Sequence, residues 1–127
     1  GNMPLIKMFY KELGTGGGLQ QQFYELGSQI NTFVQTTNFL RKNNRFDELA
    51  IYMHNNQGLM NVKGQVRATE KYLSYWRQRR DRLYLREDLD QKQKRAMMKD
   101  LILERDQRLI FVPELIKRSK QQDYANR

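Results

Sequence analysis

Residues 59–112 read LMNVKGQVRATEKYLSYWRQRRDRLYLREDLDQKQKRAMMKDLILERDQRLIFV, and the spacing of apolar side chains within them decides the fold. In the first half, Leu59, Val62, Val66, Leu73, Trp76 and Leu83 recur three, four or seven residues apart, the stripe of an amphipathic helix. Met98, Leu101, Arg105, Leu109 and Val112 repeat the pattern in the second half. Asp88-Leu89-Asp90 interrupts it and offers side chains to cap a helix that begins near Gln91. An apolar stripe is buried only against another, so the pattern predicts a long helical hairpin over 59–87 and 91–112. Arg80 and Arg105 are the exceptions on its inner side. A guanidinium there needs acidic partners within the hairpin, or else it marks a wet seam between subunits of a homo-oligomer.

Working outward, residues 19–42 place Leu19, Phe23, Leu26, Ile30, Phe33, Thr37 and Leu40 alternately four and three apart, and Val34 widens the seam. Gln20, Gln21, Gln22, Gln29 and Gln35 read as solvated helix formers on the other faces. Asn43-Asn44 ends this helix. Asn44 is expected to cap the next, over 45–55, with Asp47 and Glu48 at its positive end and Phe46, Leu49, Ala50 and Met53 inward. Gly58 is expected as a left-handed cap after that helix. Gly64, inside the long helix, costs about 1 kcal/mol relative to Ala, which close helix packing would justify.

At the ends, 3–13 reads as a short first helix with Leu5, Ile6, Phe9 and Leu13 opposite Lys7 and Lys11. A Gly-rich link, 14–18, follows; it lacks the Lys-Ser/Thr pair of a phosphate loop. Pro113 should kink or split the second arm, leaving a terminal helix and a frayed tail within 113–127. The expectation is one all-α domain over 1–127: an elongated helical bundle in which helices 19–42 and 45–55 pack on the hairpin.

The chain has 127 residues, about one domain, of which 39% are apolar and 29% charged. Seven Tyr, six Phe and a Trp are too many large side chains for a disordered segment. The absence of Cys removes disulfides, thiolate nucleophiles and Cys-based zinc sites. No stretch approaches the roughly 20 apolar residues that cross a bilayer, and none resembles a signal peptide. Gly1-Asn2, in place of an initiating Met, reads as a processing scar and suggests a fragment of something larger. The net charge of +9 is uneven: residues 64–127 carry seventeen Lys/Arg against ten Asp/Glu, residues 1–63 six against four. A polyanion would land on the second half.

The sharpest local signal is 72–86, where arginines interleave with aromatics. Arg79, Arg82 and Arg86 share a helical face, and Tyr75 precedes Arg79 by one turn; Arg77 and Arg80 lie beside them. Phosphate contact combined with base stacking uses such residues. The simpler account is a solvated face with its aromatics inward, and the interspersed acids weaken any continuous positive track. Asp81, Glu87, Asp88 and Asp90 near the hairpin tip alternate with Arg80, Arg82 and Arg86, so mutual neutralisation explains them better than a metal or acid–base pair. His54, the one histidine, has no partner for a metal or a catalytic triad and reads as a surface or helix-end residue. Glu104 and Arg108 stand in favourable i,i+4 order. Lys92, Lys94, Arg95 and Lys99 oppose the dipole at the start of their helix. No catalytic residue, metal or cofactor is expected.

Two blocks carry a family resemblance. The first runs Pro4-Leu5-Ile6, Phe9-Tyr10, Phe23-Tyr24-Glu25-Leu26, Asn31-Thr32-Phe33, Leu40-Arg41-Lys42, and Arg45 through Asp47-Glu48-Leu49-Ala50 to Tyr52. The second is Leu89-Asp90-Gln91-Lys92-Gln93-Lys94-Arg95, opening 98–109. In this order they resemble a helical domain on the C-terminal side of large polyvalent proteins of phages and mobile elements, including internal virion (DNA-ejection) proteins of tailed phages. The chain departs from that pattern in the glycines at 16–18 and in Asn43-Asn44, where a Gly-containing turn is expected. The resemblance implies a non-enzymatic structural or interaction module, working in a virion interior or the bacterial host cytoplasm. Its partners would be neighbouring domains of the parent protein or other virion proteins. The alternative is a basic nucleic-acid-binding module using Arg77, Arg79, Arg80, Arg82, Arg86 and Tyr75.

Overall fold

The computed structural model describes residues 3–11 and 18–121, all of it helix, turn or coil. The elements are α1 (Leu5–Tyr10), α2 (Leu19–Lys42), α3 (Phe46–Asn55), α4 (Gln57–Leu85), α5 (Gln91–Arg108) and α6 (Val112–Ser119). Most of the Gly-rich link expected at 14–18, with Leu13 and the end of the tail, falls outside the described residues.

The fold is an all-α bundle in which α4 is the spine. At its end Arg86 turns extended, and Asp90 caps α5 by accepting from the Gln93 N–H while the Gln93 side chain accepts from the Asp90 N–H. This reciprocal capping fixes where the second arm starts. α5 then runs antiparallel along the C-terminal half of α4, with Lys94 beside Tyr84 and Leu101 beside Trp76. Three residues, 109–111, break the helix ahead of Pro113, which occupies the first turn of α6, where a missing N–H costs nothing. The arm expected over 91–112 therefore ends at Arg108, and the terminal helix begins at Val112. α6 continues along the N-terminal half of α4, where Arg118 reaches Gln65. α2 runs antiparallel to α4 along its N-terminal half and past its middle, with Tyr24 at Arg77 and Gly27 at Glu70.

Two cores result. Phe23, Leu26 and Ile30 of α2 meet Val62, Val66 and Leu73 of α4 and Leu109, Val112 and Leu115 of the last segment. Phe9, Trp76, Leu83, Met98 and Leu101 form the second, between α1, α4 and α5. Every stripe residue of the hairpin is buried except Leu59, which is half-buried. The α2 seam is buried too, Leu19 excepted. Each large apolar side chain among them contributes roughly 1.5–3 kcal/mol by leaving water, whereas Thr37 and Arg105 do not gain in this way.

Several local expectations fail for identifiable reasons. Asn44 does not cap α3: it takes the left-handed turn itself, with φ 57°, and Arg45 is the N-cap residue. α3 turns Leu49 and Tyr52 toward α2, Tyr52 stacking on Phe33 at 5.8 Å, which leaves Phe46 57% exposed and Ala50 outside. Ile6 of α1 likewise points outward, and only Phe9 of that helix is buried. Gly58 is not a cap but the second residue of α4, pressed on the main chain of Ser119 and Gln121 so closely that a Cβ would overlap their carbonyls. Gly64, by contrast, has open space around it, so no packing demand accounts for it. The cations that start α5 find a use: the Lys94 ammonium donates to the Tyr84 carbonyl, in the last turn of α4, at 2.7 Å, where a positive charge is favourable.

Candidate functional site

The arginines and Tyr75 singled out as a nucleic-acid face lie on the C-terminal half of α4, Arg86 just past its end, and they point to two sides. Arg79, Arg82 and Arg86 line one groove of about 370 Å³ between α4 and α5. Leu83, Met97 and Leu101 supply its apolar wall, and the carboxyls of Asp100 and Glu104 lie in it as well.

Two of these three cations are already committed. Arg79 holds Glu104 with two bonds, at 2.7 and 3.1 Å, and stands over the Tyr75 ring at 5.3 Å. The Tyr72 hydroxyl donates to the same carboxylate at 2.5 Å. The arginine first, then the tyrosine, hold the Glu104 carboxyl below its ordinary range. Burial, and then the bond to Glu104, push the Tyr72 phenol up to about 12. Glu104 thus pairs across the helices instead of with Arg108, whose guanidinium stands over Tyr72 at 5.1 Å. Arg86 donates twice to Asp88, at 2.9 and 2.5 Å. Arg82 is exposed and makes no hydrogen bond or ion pair among the described residues.

Arg77 and Arg80 face the opposite side, toward α1 and α2. Arg77 donates to the Tyr24 hydroxyl at 2.9 Å, which the Gln20 amide also reaches, at 2.6 Å. Arg80 bonds Asp81 at 3.1 Å and stands over the Tyr10 ring at 4.5 Å, while the Tyr10 hydroxyl donates to Asp81 at 2.9 Å. That hydroxyl, and after it Arg80, keep the Asp81 carboxyl low. From α5, Arg105 reaches the Trp76 ring at 4.7 Å and is buried to 3% exposure. Its Nε and Nη2 share one oxygen of Asp106, at 3.3 and 3.2 Å. Burial pulls the Arg105 guanidinium down and Asp106 opposes the shift. Both inward arginines therefore meet acids within the hairpin, in each case the next residue in the chain.

The remaining candidates are dispersed. His54 is exposed in the last turn of α3. Of the acids near the hairpin tip, Asp81 and Asp88 hold arginines and Asp90 caps α5. Among the described residues no group of three His, Cys, Asp or Glu is arranged to hold a metal ion, and no helix is long and apolar enough to cross a membrane. Tyr10, Gln20 and Tyr24 carried no sequence signal as site residues, although Gln20 and Tyr24 stand one helical turn apart. Compared with protein-family models, curated proteins and solved structures, the chain gives no match.

Proposed function

We propose that this chain is a non-enzymatic helical interaction module, belonging to an internal virion (DNA-ejection) protein or a related polyvalent protein of a phage or mobile element. The assignment to that family rests on the two sequence blocks quoted above. The interaction role rests on one structural observation: large apolar side chains stand in water on the α2–α3 hairpin. Phe39 is 54%, Phe46 57% and Ile51 63% exposed. Exposed rings and branched aliphatics on two neighbouring helices are groups that an apolar partner surface would cover. The partner of matching chemistry is an apolar surface of a neighbouring domain or of another virion protein.

Two experiments test this reading. Sequencing the source locus should place the chain in a long reading frame near virion genes; a complete short frame in a cellular operon would overturn the assignment. The double variant Phe46→Asp/Ile51→Asp should keep its helical circular dichroism and lose binding to the adjoining domain of the parent protein. Retained binding would remove the α2–α3 surface from the proposal.

The nucleic-acid reading keeps one specific observation in its favour, the unpaired Arg82 midway along a groove that Arg79 and Arg86 also line. Arg82→Ala is its clean probe, because Arg79→Ala would also break the bridge to Glu104. If the groove contacts a duplex, affinity falls steeply with salt, and Arg82→Ala lowers the salt slope by about 1. No binding at low salt would eliminate it.

A further inference from the structure

Behind the arginine face lies a cavity of about 320 Å³ enclosed by α1, α2, α4 and α5, and its lining is cationic. Lys11, Arg77, Arg80 and Arg105 all line it, from two helices and the end of a third, and no carboxylate among the described residues does. The acids that answer them are outside: the side chains of Asp81 and Asp106 are 49% and 58% exposed, at the water edge. Each meets its arginine through a single oxygen, and the Arg105 bonds are long, at 3.2 and 3.3 Å. The Nη1 atoms of Arg80 and Arg105 take part in none of these bonds, and Lys11 has no partner among the described residues. The guanidinium carbons of Arg80 and Arg105 both lie within 5.8 Å of the Trp76 ring centroid. A guanidinium as deeply buried as that of Arg105 is costly unless anionic charge answers it. A core that needed only packing would carry Met or Leu at position 105.

We propose that this cavity is a binding site for a phosphate group, either free phosphate or the terminal monoester of a nucleotide or strand. Planar guanidinium forks match the oxygens of a tetrahedral dianion and are the strongest neutral-pH donors a chain can offer it. Several cations answered only at the water's edge call for more than one negative charge, which favours a phosphate dianion over a carboxylate. The Tyr10 and Trp76 rings already carry guanidinium groups over them, so the site is for the phosphate and not for a stacked base. The Gln20 amide fits this use. Its Oε1 is shielded and unpartnered, while its nitrogen reaches the Tyr24 oxygen. Turning the amide over leaves every heavy atom in place, gives the Tyr24 O–H an acceptor, and puts donors where the orphaned oxygen stood. The site does not depend on the partner surface of the α2–α3 hairpin.

The test compares thermal unfolding of the chain in sodium phosphate and in sodium chloride of equal ionic strength. Saturating phosphate should raise Tm by about 3 °C or more, since a ligand that binds only the folded state stabilises it. Arg105→Met should fold, because it leaves Asp106 in water, and should weaken phosphate binding at least tenfold. Arg82→Gln, outside the cavity, should bind as the parent chain does. Should Arg105→Met fail to fold, Arg77→Gln takes its place with an expected loss of threefold or more. Paired short oligonucleotides, with 5′-phosphate and 5′-hydroxyl ends, separate the sources: competition by the phosphorylated strand alone identifies a terminal monoester, and competition by neither identifies free phosphate. No Tm difference between the two salts overturns the proposal. So does a phosphate effect that survives Arg105→Met or, in its place, Arg77→Gln.

Discussion

The two halves of α4 bury different chemistry. From Gly58 to Leu73 the helix turns Val62, Val66, Thr69 and Leu73 into a layer with α2 and α6 whose polar content is hydroxyl groups satisfied by their own helix, as when Thr69 donates to the Gln65 carbonyl at 2.8 Å. From Tyr72 to Leu85 it turns Tyr72, Trp76 and Arg80 toward α1 and α5, and hydrogen bonds and cations on rings surround the apolar cluster there. The Trp76 indole N–H donates to the Leu101 carbonyl at 2.7 Å within this layer. One half is specified by shape alone and the other by shape together with polar pairing. The cationic cavity lies beside the second, because a close-packed aliphatic layer has neither donors nor room.

Truncation should show the contrast most strongly. Phe23→Ala, at a site with no exposure, should cost about 4 kcal/mol in denaturant unfolding, while Leu83→Ala in the polar half should cost about 2 kcal/mol, since long arginine stems can settle into the gap. Equal losses would mean that the two layers are equally rigid. Next in size, Gly58→Ala should destabilise by about 3 kcal/mol, because the new methyl group meets main chain of α6 that cannot swing aside. Unchanged stability would show that α6 yields easily.

Tyr72→Phe probes the polar half and should cost about 1 kcal/mol. The bond it removes ends on a charged group, but Glu104 is 43% exposed and keeps Arg79. Its pH dependence has a definite sign. The folded-state Tyr72 value lies above the ordinary 10.0, so its stabilisation is complete below 10.0 and is lost as pH rises toward about 12. Glu104 is displaced the other way: its contribution is present above the ordinary 4.5 and lost as pH falls through the lower folded value. Tyr72→Phe should abolish the alkaline loss and shrink the acid one; an unaltered alkaline limb would assign it to another group. The smallest effect is a gain. Gly64→Ala should stabilise the dry half by up to about 1 kcal/mol, since its surroundings are open and alanine favours helix.

Helical spacing made the cores legible: Met98, Leu101, Leu109 and Val112 were all recognisable as inward, and so was the anomaly of Arg105 among them. The same reading erred at Phe46, because a ten-residue helix with apolar residues on several sides does not say which side its neighbour covers. It erred at both Gly58 and Gly64, since a glycine's reason lies in what stands across from it. The arginine face was found, but its division was not: Arg79 meets Glu104 25 residues away, and Tyr10 meets Asp81 across 71.

The sequence by itself determined that this protein is a set of amphipathic helices hinged at Asp88–Asp90 and Pro113, because periodicity and capping are local properties of the chain. Only the tertiary structure decided which charges are free, which are paired, and which converge on a cavity. Those outcomes depend on distances between helices, and no spacing along one helix records them.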